Sequence, residues 1–247
     1  MSAAERAMPD AAATLAAYVL AALWLSSLSA SGLVPQLAGL CAGALVTAAA
    51  VGSVMRRIPR FCTPADRVTL LRAVLVALCA VVAVPQLVTG RGPDLLLPVL
   101  GGIAFLLDGV DGAVARRTGT ASTAGARFDA ATDAALVLVL SVAAAVVAGP
   151  WTVAVGGMYY VFVAAGFFRP HLRAALPPSF SRKAIGAFQP LALLVSLLPG
   201  MPLAAVFPAV ALALLTFSFT RDVVFLEARH RSGLLDAGLA RTGPTAR

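Results

Sequence analysis

Long apolar runs separated by short polar clusters make up most of the chain. The eight runs cover residues 11–30, 33–54, 68–88, 95–107, 129–148, 151–168, 184–198 and 203–219. Because about 20 helical residues cross the hydrocarbon core of a bilayer, each run predicts a membrane-spanning helix. The fourth and seventh runs are short, and we expect both helices to continue into their polar flanks. The pattern therefore predicts an all-α, polytopic integral membrane protein.

Composition supports this interpretation. Of the 247 residues, 60% are hydrophobic and 12% are charged, which is roughly half the charge of a soluble domain. These figures exclude a disordered chain and an ordinary soluble enzyme, and three cysteines are too few for a disulfide-rich secreted protein. The net charge of +8 comes from short basic clusters between the apolar runs. We therefore expect anionic lipid headgroups and phosphorylated substrates, and no nucleic acid, as partners.

The positions of the basic residues predict the topology. If the N-terminus is cytoplasmic, every Lys and Arg except Arg91 falls on the cytoplasmic side. We therefore expect both termini in the cytoplasm and a location in a bacterial-type plasma membrane. A cleaved signal peptide is an alternative for the first run, because residues 29–31 form a small-residue site. We favour a retained helix, because the residues before the run carry no net positive charge.

Four of the eleven acidic residues, Asp108, Asp111, Asp129 and Asp133, lie at the adjoining ends of the fourth and fifth runs. Spacings of three and four residues place each pair on one helical face, and an antiparallel turn would bring the pairs together. Converging carboxylates need cations, and oxygen ligands favour Mg²⁺ or Mn²⁺, which suit a phosphate or pyrophosphate substrate. The alternative is a pair of solvated helix ends, which two facing pairs in an acid-poor chain disfavour.

These residues belong to a longer pattern. Residues 108–133 resemble the signature of the CDP-alcohol phosphotransferases, which reads Asp-x-x-Asp-Gly-x-x-Ala-Arg, eight residues, then Gly-x-x-x-Asp-x-x-x-Asp. Every fixed position is filled, by Asp108, Asp111, Gly112, Ala115, Arg116, Gly125, Asp129 and Asp133. The resemblance covers about residues 63–219.

A second motif lies at the start of the third run. Residues 66–72 resemble an Asn-x-x-Thr-x-x-Arg motif that often opens the first core helix of this family, with Asp66 replacing Asn and with Thr69 and Arg72 matching. Asp66 is a helix cap or a contact to the nucleotide, and we favour the cap as its main role. Only Lys183 and Gln189 match a third element of the family, Gly-Lys-x-x-Thr-x-x-Gln.

The resemblance implies a six-helix membrane core, usually dimeric, that transfers a phosphoalcohol from a CDP-linked donor to a hydroxyl acceptor and releases CMP. It implies two divalent cations, Mg²⁺ or Mn²⁺, held by Asp108, Asp111, Asp129 and Asp133. Asp133 is in addition expected to be the general base. The residues expected to contact the CDP group are Asp66, Thr69, Asp108, Gly112, Ala115, Arg116 and Gly125.

The acceptor is expected to bind near a basic cluster between the sixth and seventh runs. The cluster consists of Arg169, Arg173, Arg182 and Lys183. These residues retain the loop in the cytoplasm, bind the phosphate of an anionic acceptor, or do both. The cluster favours a phosphorylated polyol, with CDP-diacylglycerol as donor. A soluble CDP-alcohol donor with a lipid acceptor is the alternative, and a cation transporter is disfavoured because the acids lie at one membrane edge.

Three domains follow from this interpretation. Residues 1–62 are predicted to form a two-span hairpin that packs against or anchors the rest. Residues 63–220 are predicted to form the six-span catalytic domain, and residues 221–247 a basic cytoplasmic tail.

Overall fold

The computed structural model describes residues 3–29, 31–56, 63–119, 122–174, 176–177 and 179–242. Side chains are described for these residues except 3–7, 111–113, 115–118, 173 and 232–242. The α-helices in this part of the chain are α1 (Ala3–Leu28), α2 (Leu33–Met55), α3 (Pro64–Thr89), α4 (Leu96–Thr118), α5 (Thr123–Ala148), α6 (Val153–Phe168), α7 (Phe180–Ser196) and α8 (Val206–Thr242). The described residues contain no strand, which confirms the predicted all-α class.

Most of each of the eight predicted runs lies in one of these helices. Six of the described helices are long and apolar enough to cross a membrane: α1, α2, α3, α5, α6 with the 3-10 turn before it, and α8. The apolar part of α4 is shorter, and its helix continues to Thr118 through the polar flank. Helix α7 likewise begins at Phe180, before its apolar run. Both extensions were predicted, and the polytopic membrane architecture is confirmed.

Helix α3 is the centre of the bundle. In its most apolar segment 72% of the residues are buried, against 39% or fewer in the other five long apolar helices. It packs against α1, α2, α4 and α5. A helix that is apolar on all sides suits this position, because neighbouring helices cover most of its surface. The buried polar side chains of α3, Asp66, Thr69 and Arg72, are therefore held among neighbouring helices rather than in lipid.

A capping box fixes the start of α3. The Thr63 hydroxyl accepts a hydrogen bond from the Asp66 backbone N–H at 3.1 Å, and the Thr63 backbone N–H donates to Asp66 Oδ2 at 2.9 Å. Pro64 occupies the first turn, where a backbone N–H has no partner within the helix, so its lack of an N–H costs no hydrogen bond. The expected capping role of Asp66 is thus confirmed, with one correction: Thr63 is the N-cap residue, and Asp66 is its partner three residues later.

The two N-terminal helices pack directly on α3. Helix α2 buries a face made of Gly39, Gly43, Thr47, Ala50 and Val54. A Cβ atom at Gly43 would lie 2.7 Å from the Ala77 carbonyl oxygen, so glycine permits this close approach of α2 to α3. The Tyr18 hydroxyl of α1 donates to the Leu40 carbonyl at 2.5 Å and joins α1 to α2. The predicted hairpin therefore shares a packed interface with the central helix.

Helix α8 continues across the predicted start of the basic tail. It runs without interruption from Val206 to Thr242. Arg182 of α7 lies 3.0 Å from Asp222 of α8, and Arg221 donates to the Ser181 hydroxyl at 3.0 Å. The first residues after 220 are thus helical and packed against α7.

Candidate active site

Three of the four predicted carboxylates meet at one end of the bundle. Asp108 projects from α4, and Asp129 and Asp133 project from the first half of α5. One oxygen from each lies within 4.8 Å of the others. The predicted convergence is confirmed for these three residues. Asp111 follows Asp108 by one helical turn on α4, but its side chain lies outside the described set.

A buried arginine lies among these carboxylates. Arg72 of α3 is 1% exposed. Its Nη1 atom lies 2.5 Å from Asp129 Oδ1, and its Nη2 atom lies 3.0 Å from Asp108 Oδ1 and also contacts Asp133 Oδ1. Guanidinium groups suit such forked contacts with carboxylates. Arg72 therefore joins α3 to both acid-bearing helices.

Sequence reasoning assigned Arg72 no role in the site, although two signals were present. It matches the arginine of the motif at residues 66–72, and it lies inside an apolar run. An arginine within a membrane span needs a counter-ion or a functional partner. Four aspartates predicted on neighbouring helices were the available partners.

The charge and donor atoms of the cluster fit a hard divalent cation. Among the described side chains, one guanidinium faces three carboxylates, so these four groups together carry an excess of negative charge. All the donors are oxygen, the ligand type that Mg²⁺ and Mn²⁺ prefer. Each carboxylate side chain is between 36% and 45% exposed, so a solute can reach it.

A cleft beside the carboxylates extends to the start of α7. It has a volume of about 240 Å³ and is lined by Asp108, Asp133, Lys183 and Gly186, with an apolar wall of Phe105, Leu136, Val137, Ala187 and Pro190. A cation and two carboxylates therefore face one space next to an apolar surface. Lys183 is the residue of the predicted basic cluster that the described side chains place in this cleft.

The family comparison agrees with this geometry. A family model described as CDP-alcohol phosphatidyltransferase matches residues 62–218, more than half of the chain. The chain belongs to this family. Comparisons with curated proteins and with solved structures gave no match. The matched segment contains α3 to α7 and the first part of α8, with every carboxylate of the cluster, whereas α1 and α2 precede it.

Family membership establishes the class of reaction. The protein is a membrane-embedded transferase that moves a phosphatidyl-type group from a CDP-alcohol to an alcohol acceptor. This family generally uses divalent cations, and the three converging carboxylates are a group among the described residues that could hold one.

Besides Asp108, the structure describes three residues that are expected to contact the CDP group of the donor. Asp66 and Thr69 are buried near the start of α3, where the Thr69 hydroxyl donates to the Ala65 carbonyl at 3.1 Å. Gly125 lies in the first turn of α5, and its N–H donates to the hydroxyl of the N-cap residue Ser122 at 3.0 Å. Gly112, Ala115 and Arg116 lie on α4, with side chains outside the described set.

Two other members of the predicted basic cluster are paired with acids of α8. Arg169 Nη1 lies 2.5 Å from Glu227 Oε1, which also contacts His171 at 3.0 Å. Arg182 Nε lies 3.0 Å from Asp222 Oδ2. Arg173 lies in the turn between them, and its side chain is outside the described set. The structure thus separates Arg169 and Arg182, which join α8 to the rest of the bundle, from Lys183, which lines the cleft.

Proposed function

We propose that this transferase moves the phosphatidyl group of CDP-diacylglycerol to a small phosphorylated polyol and releases CMP. The observation that carries the proposal is the cleft in which Lys183 faces Asp108 and Asp133 beside an apolar wall. The lysine provides a positive charge that can bind an anionic acceptor. The carboxylates can hold the metal ions that bind the pyrophosphate of the donor. The apolar wall suits the acyl-bearing part of a lipid donor.

The residues of the cluster divide the chemistry between them. Asp108, Asp111, Asp129 and Asp133 would hold two divalent cations, Mg²⁺ or Mn²⁺. These ions, when bound, neutralise the donor pyrophosphate and stabilise the leaving CMP. Asp133 also takes the proton of the acceptor hydroxyl. The hydroxyl oxygen bonds to the phosphorus that carries diacylglycerol, and the bond from that phosphorus to the oxygen of CMP breaks.

The remaining features of the proposal concern binding and assembly. The residues that contact the CDP group are Asp66, Thr69, Asp108, Gly112, Ala115, Arg116 and Gly125. Lys183 and Arg173 bind the phosphate of the acceptor, whereas Arg169 and Arg182 are paired with acids of α8. The protein acts as a homodimer in a bacterial-type plasma membrane. Its active site and both termini face the cytoplasm, which agrees with the basic residues near the cluster.

Release of CMP from defined substrates tests the proposed function. Purified protein in lipid vesicles is given CDP-diacylglycerol, Mg²⁺ or Mn²⁺, and one acceptor at a time: glycerol 3-phosphate, inositol phosphate or serine. We expect CMP and a new phospholipid with a phosphorylated polyol, and neither without acceptor. Product with serine alone would contradict the acceptor class. Product only from a soluble CDP-alcohol and a lipid alcohol would establish the alternative direction.

Replacement of Lys183 tests the acceptor side. Lys183→Ala is expected to raise the KM of the phosphorylated acceptor by about 10-fold or more, because a charge-assisted hydrogen bond to the phosphate is lost. The KM of CDP-diacylglycerol should change less than about twofold. The control is Arg91→Ala, which removes an exposed charge just after α3 at the other end of the bundle. An equal rise in both KM values would contradict the assignment of Lys183 to the acceptor.

A further inference from the structure

Arg72 occupies the centre of the candidate metal site. Its two terminal nitrogens contact one oxygen of each of Asp108, Asp129 and Asp133. The same three residues can each offer an oxygen to a single metal ion. A guanidinium stays protonated at any physiological pH, so it cannot yield its charge to an incoming metal. A buried guanidinium and a divalent cation therefore compete for the same carboxylates.

Packing explains why the arginine contacts the carboxylates before metal enters. Arg72 is 1% exposed on the most buried helix of the bundle, so its charge has to be balanced by nearby acids. The carboxylates in turn lie too close together to remain ionised without a cation. The Arg72 side chain of α3 thus provides the counter-charge for acids of both α4 and α5.

We propose that Arg72 is a positioning residue that holds the three carboxylates together before metal enters and is displaced from them when divalent cations bind. The divalent cations then replace the guanidinium as the positive charge beside the carboxylates. The displaced guanidinium remains beside the site, where its fork suits an anionic phosphate. This inference rests on the proposed function for the identity of the metal site.

Binding of Mn²⁺ to the full-length protein without any nucleotide tests the exchange. Free Mn²⁺ is measured by electron paramagnetic resonance for the wild type, Arg72→Gln and Arg72→Lys. Removal of the competing charge in Arg72→Gln is expected to tighten Mn²⁺ binding about 10-fold or more. Arg72→Lys keeps the charge but loses the fork, and we expect it to tighten binding by a smaller factor. Unchanged or weaker Mn²⁺ binding in these variants would overturn the proposal.

Thermal unfolding gives a second measurement. In EDTA, Arg72→Gln should unfold at a lower temperature than the wild type, because its carboxylates repel without a counter-ion. Added Mn²⁺ should raise the unfolding temperature of the variant more than that of the wild type. If Arg72→Gln does not fold, the Mn²⁺ affinity of Arg72→Lys decides the matter alone. Equal Mn²⁺-induced shifts in a folded variant and the wild type would overturn the exchange.

Arg67→Gln is the matched control. Arg67 lies on the same helix and also pairs with an acid, Asp10 of α1, at 3.2 Å, but its side chain is 62% exposed. Its replacement should leave Mn²⁺ affinity unchanged. Because none of these measurements uses a substrate, tighter Mn²⁺ binding without CMP release would retain the exchange and refute the proposed function. CMP release by the wild type together with unchanged Mn²⁺ affinity in the Arg72 variants would retain the proposed function and refute the exchange.

Discussion

Asp133→Asn is expected to lower kcat by about 10²-fold to 10⁴-fold, the usual contribution of a general base. The amide keeps the size of the carboxylate but cannot accept the proton of the acceptor hydroxyl. Asp133 contacts Arg72, lines the cleft with Lys183 and lies one turn after Asp129. It thus lies beside the other two carboxylates and on the wall of the proposed acceptor space. The measurement is the initial rate of CMP release at saturating donor and acceptor.

The control for this variant is Asp94→Asn. Asp94 is an exposed acid in the loop between α3 and α4. It follows the end of α3. At the rise of an α-helix, that end lies roughly 25 Å from Arg72 along the helix axis. Its replacement should leave kcat within about twofold of the wild type. If Asp133→Asn kept a similar rate while unfolding at the wild-type temperature, Asp133 could not be the base.

Helix positions and the meeting of the carboxylates could be predicted because both depend on local spacing. Apolar runs of about bilayer length specify the helices. The intervals from Asp108 to Asp111 and from Asp129 to Asp133 specify the faces that carry the acids. The capping box at Thr63 and Asp66 is also a local pattern, and only the assignment of the N-cap needed the structure.

The role of Arg72 could not be predicted in the same way. Its partners Asp129 and Asp133 lie 57 and 61 residues away in sequence, and the contact depends on how α3 packs between α4 and α5. A count of basic residues on each side of the membrane treats Arg72 as one more topology signal. Three-dimensional packing shows instead that its charge is used inside the cluster.

The basic cluster between α6 and α7 gives a second example. Its residues are similar by composition, and the sequence treated them as one set. Arg169 and Arg182 find partners in Glu227 and Asp222, which lie in a segment that the sequence interpreted as a tail. Because α8 continues as a helix past residue 220, these two acids lie beside α6 and α7 and pair with the arginines. The length of α8 therefore determines that Arg169 and Arg182 are paired outside the cleft.

Gly156→Ala is expected to destabilise the protein by about 2 kcal/mol or more, at the upper part of the range for overpacked interfaces. A Cβ atom at Gly156 of α6 would lie 2.4 Å from the Cα of Leu138 and 2.8 Å from its backbone nitrogen. Backbone atoms cannot rotate away, so α6 has to move from α5. Because α5 carries Asp129 and Asp133, CMP release should fall together with the unfolding temperature.

Gly157→Ala provides the matched control for this interface. Gly157 is the next residue of the same helix, and a Cβ atom there would have nothing within 4 Å. Its replacement should leave stability unchanged or raise it by up to about 1 kcal/mol, because alanine favours helix more than glycine does. Thermal unfolding of both variants in the same detergent measures the difference. Equal unfolding temperatures would show that α6 does not approach α5 as closely as the Gly156 contact requires, and the placement of α5 would then depend on α3 and α7.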